Sequence, residues 1–194
     1  KQAEIDFVNL EDAKFDDPMG EATGAAAIFG VTGGVMEAAL RSVSEIVSGK
    51  PLDKIAFEQV RGENGIKRAE IEIADKKVKV VVAHGLANAQ IIMEEIKSGK
   101  SDYQFVEIMA CPGGCITGGG QPIKSAKIQE EVDVHKKRAE AMYSIDEKSV
   151  IRKSHKNPVL KQIYKDFLGE PNGELAHKLL HTHYSKKDKY RFVK

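Results

Sequence analysis

The chain is short of cysteine, of long apolar runs and of any imbalance of charge, and each shortage removes a class of explanation. Only two cysteines occur, four positions apart, so a disulfide framework of the kind that staples small secreted domains is excluded and a reducing, cytoplasmic setting fits. No run of eighteen apolar residues and no signal-peptide core is present, which argues against a membrane span and against secretion of this segment. Thirty basic residues balance twenty-nine acidic ones, for a formal net charge of +1, so there is no electrostatic case for nucleic acid or an anionic membrane as partner. What remains is ordinary for one globular domain with a sizeable core: 194 residues, 41% hydrophobic and 30% charged.

Both cysteines and five of the seventeen glycines fall between Glu107 and Pro122. The residues just before them, Tyr103, Phe105, Val106, Ile108 and Met109, predict a buried β-strand, so the two thiols leave a strand at its carboxyl end. Pro112 stiffens the exit. Gly113 and Gly114 lack Cβ atoms and accept positive φ, which lets Cys111 and Cys115 turn toward one bulky object with backbone amides close by. Thiolates with nearby amides suit an iron–sulfur cluster. A disulfide or redox pair across the same turn, and two inert buried thiols, are the competing readings of the same spacing.

The rest of the chain reads as alternating elements. Gly24 to Ala27 is a small-residue stretch suited to close backbone packing, and the turn Phe29 to Gly34 feeds a helix over 33–48 with Ala39, Leu40, Val43 and Val47 on its buried face and a stop at Gly49 and Pro51. That turn matches neither G-x-G-x-x-G nor a phosphate-binding loop with a following Lys-Ser/Thr, so nucleotide binding is not expected. A strand over 55–60 leads through a turn at 62–65 to a hairpin. Ala69, Ile71 and Ile73 lie on its buried side and Arg68, Glu70 and Glu72 on its wet side, and after a turn at 75–77 Val78, Val80 and Val82 close the run at His84, read as a strand-end histidine. Leu86, Ala89, Ile92, Met93 and Ile96 mark a helix. Helix, strand and glycine loop in succession indicate an α/β fold, whose ligands gather beyond the carboxyl ends of strands.

Beyond Pro122 the chain becomes highly charged. One long surface helix is expected over 124–147, with a thin stripe of Ile128, Val132, Ala139 and Met142. Asn157 and Pro158 open a further helix closed by Gly169, and a last one runs from Gly173 to Leu180. His177, His181 and His183 lack a third strong ligand for zinc and read as solvated or capping residues, and the Lys-rich end (Lys186, Lys187, Lys189, Arg191, Lys194) reads as a frayed basic tail. The expected division is an α/β lobe over 1–122 and a helical extension over 123–194, with a mostly parallel sheet flanked by helices plus the hairpin.

The run Met109-Ala-Cys111-Pro-Gly-Gly-Cys115, continued by Gly118-Gly-Gly-Gln-Pro122, resembles the last of three signature motifs of the iron-only ([FeFe]) hydrogenases. The block from Pro18, Gly20 and Glu21 through Phe29-Gly-Val-Thr-Gly-Gly34 to Arg41 is similar to the conserved stretch that precedes it in that family, and Lys136 to Glu140, Ile151 to Pro158 and Leu180 to Tyr184 resemble its C-terminal helices. The resemblance implies an H-cluster: a 4Fe–4S cubane joined through a cysteine sulfur to a two-iron subcluster that interconverts protons and H2. It implies Cys111 as a cubane ligand and Cys115 as the bridging thiolate, with Met109, Phe29 and Gly30 beside the two-iron unit and Thr32, Gly33 and Gly118 also at the cofactor.

The family's two earlier motifs, its remaining cluster cysteines, its lysine and its relay cysteine have no counterpart here. The expectation is therefore the C-terminal portion of a longer hydrogenase, inactive and without cofactor by itself, needing the N-terminal half from the same parent chain or a partner subunit, and served by ferredoxin or another electron carrier. A periplasmic parent that acquired its cluster before export stays open. An iron–sulfur assembly protein or an H2 sensor on the same fold is the alternative. With half of a two-lobed site missing, disorder or self-association is expected around 18–34 and 111–122.

Overall fold

The computed structural model describes residues 3–16, 20–52, 56–62 and 64–185. Pro18, Ile55 and the basic tail from Lys186 lie outside them. The elements in chain order are α1 (Gly24–Ile28), α2 (Gly34–Ser48), β1 (Ile66–Ile73), β2 (Lys76–His84), α3 (Leu86–Lys97), β3 (Phe105–Met109), α4 (Ala126–Glu131), α5 (Val134–Lys148), α6 (Pro158–Ile163) and α7 (Glu174–Leu180). The fold is α/β around a three-stranded mixed sheet of order β1-β2-β3, with β1 antiparallel and β3 parallel to β2.

The hairpin turns on Ala74 and Asp75, both at positive φ, which is the backbone a two-residue primed turn demands. The turn therefore sits before Lys76, not over 75–77. β1 alternates as its pattern predicts, but β2 is buried on both faces. Val80 and Val82 pack with Met36, Leu40 and Ile71 under α2, while Val81 and Ala83 pack with Ile92 of α3. A hairpin wet on one side becomes a central strand once α3 crosses back and β3 pairs beyond it.

Other expectations are corrected. Residues Glu58–Val60 form a 3-10 turn in place of the strand expected over 55–60, and Val60 plugs the core beside α2. Val43 and Val47 of α2 are exposed, and the buried face carries Met36, Glu37, Leu40, Arg41 and Ser44. Of the α3 stripe only Ile92 is fully buried. β3 is a sheet edge among the described residues, so Phe105 and Ile108 are exposed and Glu107 is its one buried residue.

The long helix over 124–147 is two helices. Asp133 accepts from Lys136 N and starts α5 afresh after α4 ends at Val132. Nor is α5 merely superficial: Asp146 is fully buried, and a Cβ on Gly24 would lie 2.4 Å from its carboxylate, so the small-residue stretch lets α1 pack flush on α5. Asn157 caps α6 by accepting from Val159 N and Leu160 N, with Pro158 in the first turn as expected.

Candidate functional site at the end of the third strand

The site is assembled where β3 ends. Glycines at 113 and 114 take φ of 77° and 99°, and the turn closes with Gly114 N donating to Cys111 O at 3.0 Å and Gly118 N donating to Cys115 O at 3.1 Å. Both cysteines are free and exposed, so the disulfide alternative is not realised. The Cβ that Gly118 lacks would lie 3.7 Å from Cys111 Sγ, which places that backbone against the thiol. Thr117 Oγ1 donates to Pro112 O and, at 3.1 Å, to Gly114 O. Arg138 of α5 ties down the far end by donating to Ile116 O at 2.8 Å and Pro122 O at 2.9 Å.

A second glycine turn abuts the first. Thr32 N donates to Gly113 O at 3.0 Å and Ile116 N donates to Gly30 O at 3.1 Å, so residues 30–32 and 113–116 are laced by their backbones. Gly33 has φ of 89° and opens α2, and Gly34 is required because a Cβ there would meet Ile28 O at 1.7 Å. The structure thus brings Gly30, Thr32 and Gly33 to the cysteine loop. Phe29 ends α1 with 42% of its surface exposed, and Met109 is the last residue of β3, half-buried.

Two residues were not singled out from sequence. Glu107, two positions before Met109, accepts from Gly33 N and Met36 N, both at 2.6 Å, and so caps α2 with a full negative charge. Lys67 donates to Thr32 O at 3.1 Å and Gly62 O at 2.9 Å; burial pushes its ammonium down to about 8, against the pull of Glu107. For Lys67 the available signal was register, since it is the one charge on the side of β1 that carries Ala69, Ile71 and Ile73, whereas Glu107 stands between an exposed Phe105 and a half-buried Met109 and no such pattern marks it.

Beside the loop lies a cavity of about 520 Å³ lined by Val31, Thr32, Pro112, Ile116, His84 and Tyr143. His84 is buried at the end of β2, opposite Met109, and Asn88 donates to its carbonyl. Arg61 stacks 4.1 Å from the Tyr143 ring centroid, and burial raises the phenol to about 12. His177, His181 and His183 are exposed with neighbouring rings, and among the described residues no three His, Cys, Asp or Glu side chains are grouped to hold a metal ion.

A family model described as the iron only hydrogenase large subunit, C-terminal domain, matches residues 1–119, and one described as the iron hydrogenase small subunit matches residues 132–187. The NADP-reducing hydrogenase subunit HndD of Solidesulfovibrio fructosivorans is 47% identical over 189 residues, 97% of this chain and 32% of that protein. A protein named "Probable cytosolic Fe-S cluster assembly factor GL21135", of Drosophila persimilis, is 33% identical over 147 residues, 74% of this chain and 29% of that protein. A solved variant of [FeFe]-hydrogenase HydA1 from Chlamydomonas reinhardtii superposes with a TM-score of 0.65 and 38% identity, over 94% of this chain and 52% of that one. The chain spans about a third of the length of the curated relatives and half of the solved chain.

Proposed function

We propose, from the premise that this chain belongs to the iron-only hydrogenase family, that it supplies half of the anchorage of an H-cluster in a larger hydrogenase. The reading is carried by one arrangement: two free, exposed thiols on a glycine turn at the carboxyl end of a strand, laced by hydrogen bonds to a second glycine turn. The donor set fits an iron–sulfur group but fills only part of its needs, because a cubane takes four thiolates and two are present.

In this reading Cys111 and Cys115 would hold the cluster through their thiolates, Cys111 on the cubane and Cys115 nearest the two-iron unit. The bound cluster supplies the two-electron chemistry that interconverts protons and H2. Protein residues do the rest. Phe29, Gly30 and Met109 would form an apolar side that keeps water from the bound cluster, the backbone of Thr32 would lie beside it, and Gly33 and Gly118 would bring the chain close without side-chain bulk. The N-terminal half of the catalytic domain brings the remaining ligands and the relay cysteine, and a ferredoxin or similar carrier exchanges electrons with the parent protein. We take residues 1–122 as the α/β lobe and 123–194 as its helical extension. The parent is placed in the cytoplasm, with the periplasm open; no helix among the described residues is long and apolar enough to cross a membrane.

Anaerobic reconstitution with iron and sulfide, with and without the upstream half, tests this. Bound iron and H2 turnover should appear only with the upstream half. Turnover that does not change on restoring it would refute the reading. Similarity to an iron–sulfur assembly factor supports a second reading, a cluster-carrying protein without hydrogenase activity, and a parent lacking the relay cysteine would favour it.

A further inference from the structure

The geometry points to Lys67 and Glu107 as a positioning pair that sets the shape of the cysteine loop by gripping a single peptide group. Lys67 of β1 and Glu107 of β3 both pair in register with Val82 of the central strand, so the three side chains form one row across the sheet, beneath the start of α2. Lys67 Nζ donates to Thr32 O at 3.1 Å, and Gly33 N donates to Glu107 Oε1 at 2.6 Å. These atoms are the carbonyl and the amide of the one Thr32–Gly33 peptide. Its plane is therefore held from both ends by opposite charges, each on a residue only 7% exposed.

What that plane controls is the loop. Thr32 N reaches Gly113 O, and the space where Gly114 lacks a Cβ is filled by Gly30 O at 2.7 Å and Thr32 N at 2.8 Å. Rotating the gripped peptide would move Thr32 and with it the surface on which Cys111 and Cys115 are presented. Most of this sheet face is apolar core, with His84 its other buried polar member, and buried charged groups in such a setting can often be exchanged for well-packed hydrophobic residues without loss of stability. The pair thus earns its place through orientation of the loop. The inference rests on reading the two cysteines as cluster ligands, but it makes a claim about the apo protein as well.

In the full-length protein, amide exchange is measured for the peptides covering 30–34 and 111–118 in Lys67→Met, Glu107→Gln and Lys67→Arg. The first two should raise exchange there about tenfold, the scale of one lost charge-assisted hydrogen bond, and leave helices α5 and α6 unchanged. Lys67→Arg, which keeps charge and donors, should restore most of the protection. After reconstitution the thiolate-to-iron absorption should shift in Lys67→Met and return in Lys67→Arg. Unchanged exchange in both of the first two variants overturns the proposal. So does loss of cooperative folding in both, since the pair would then be holding the core and not the loop. A wild-type protein that takes up no iron, while loop exchange responds as stated, would sink the ligand reading and leave the positioning pair standing.

Discussion

Arg41 and Asp146, 105 positions apart in the chain, are joined by two hydrogen bonds of 2.7 Å, with both side chains fully buried. The first lies in the segment matched by the large-subunit family model and the second in the segment matched by the small-subunit one. Arg41 also donates to Glu37 at 2.8 Å and to Arg152 O at 2.9 Å, and Glu37 receives Arg61. Burial pushes the Asp146 carboxyl up, but the hydrogen bonds from Arg41 and Arg152 overcome it and hold the group below its ordinary range.

Removing one partner leaves the others charged and dry. Asp146→Ala should cost about 3–5 kcal/mol, read from the midpoint of a urea unfolding curve. A loss below about 1 kcal/mol, the range of surface pairs, would show that the network contributes no more than exposed salt bridges do.

Gly114 and Gly119 belong to the same motif but differ in surroundings. A methyl group at 114 meets the Gly30 and Thr32 backbone at φ of 99°, whereas nothing lies within 4 Å of position 119. Gly114→Ala should destabilise by roughly 1–3 kcal/mol and separate the two glycine turns. Gly119→Ala should stay within about 0.5 kcal/mol of wild type. Equal effects of the two substitutions in thermal unfolding would contradict the laced geometry.

Glu45 of α2 receives Lys153, and Lys156 at 2.8 Å, and these hydrogen bonds hold its pKa at about 2 against an ordinary 4.5. A depressed carboxylate contributes stability that is present above its unfolded pKa and lost as pH falls through the folded value. The window is therefore 4.5 down to about 2. Glu45→Gln should flatten the fall in unfolding midpoint across that window, and parallel pH profiles for variant and wild type would rule the contribution out.

Both cysteines are exposed and free, so in the cofactor-free protein both should react with iodoacetamide while the fold persists. Reconstituted protein should be protected at Cys111 and Cys115 together. Mass-spectrometric labelling that is the same before and after iron uptake would remove the two thiols from the ligand set.

Several features were legible in the chain because they follow from local rules. The alternation of Ala69, Ile71 and Ile73 with Arg68, Glu70 and Glu72 located β1, Gly49 ended α2 in the left-handed conformation, Asn157 and Pro158 opened α6, and the glycines after Cys111 marked a turn at a strand end. The break at Asp133 was also local, an N-cap lost within a charged run that reads as continuous helix.

Sequence by itself determined the hairpin, the start of α6 and the glycine turn that carries the two thiols, because backbone preferences and side-chain periodicity act over a few residues. Only the tertiary structure decided that α2 buries Glu37 and Arg41 while Val43 and Val47 face solvent, that β2 is covered on both sides, and that Lys67 and Glu107 flank Val82 in one row across the sheet. A charge is tolerated inside only when partners satisfy it, and besides local ones such as Glu37 for Arg41, the partners that complete these sites, Asp146 for Arg41, Arg61 for Glu37 and Gly33 for Glu107, come from segments tens of residues away that no local pattern records.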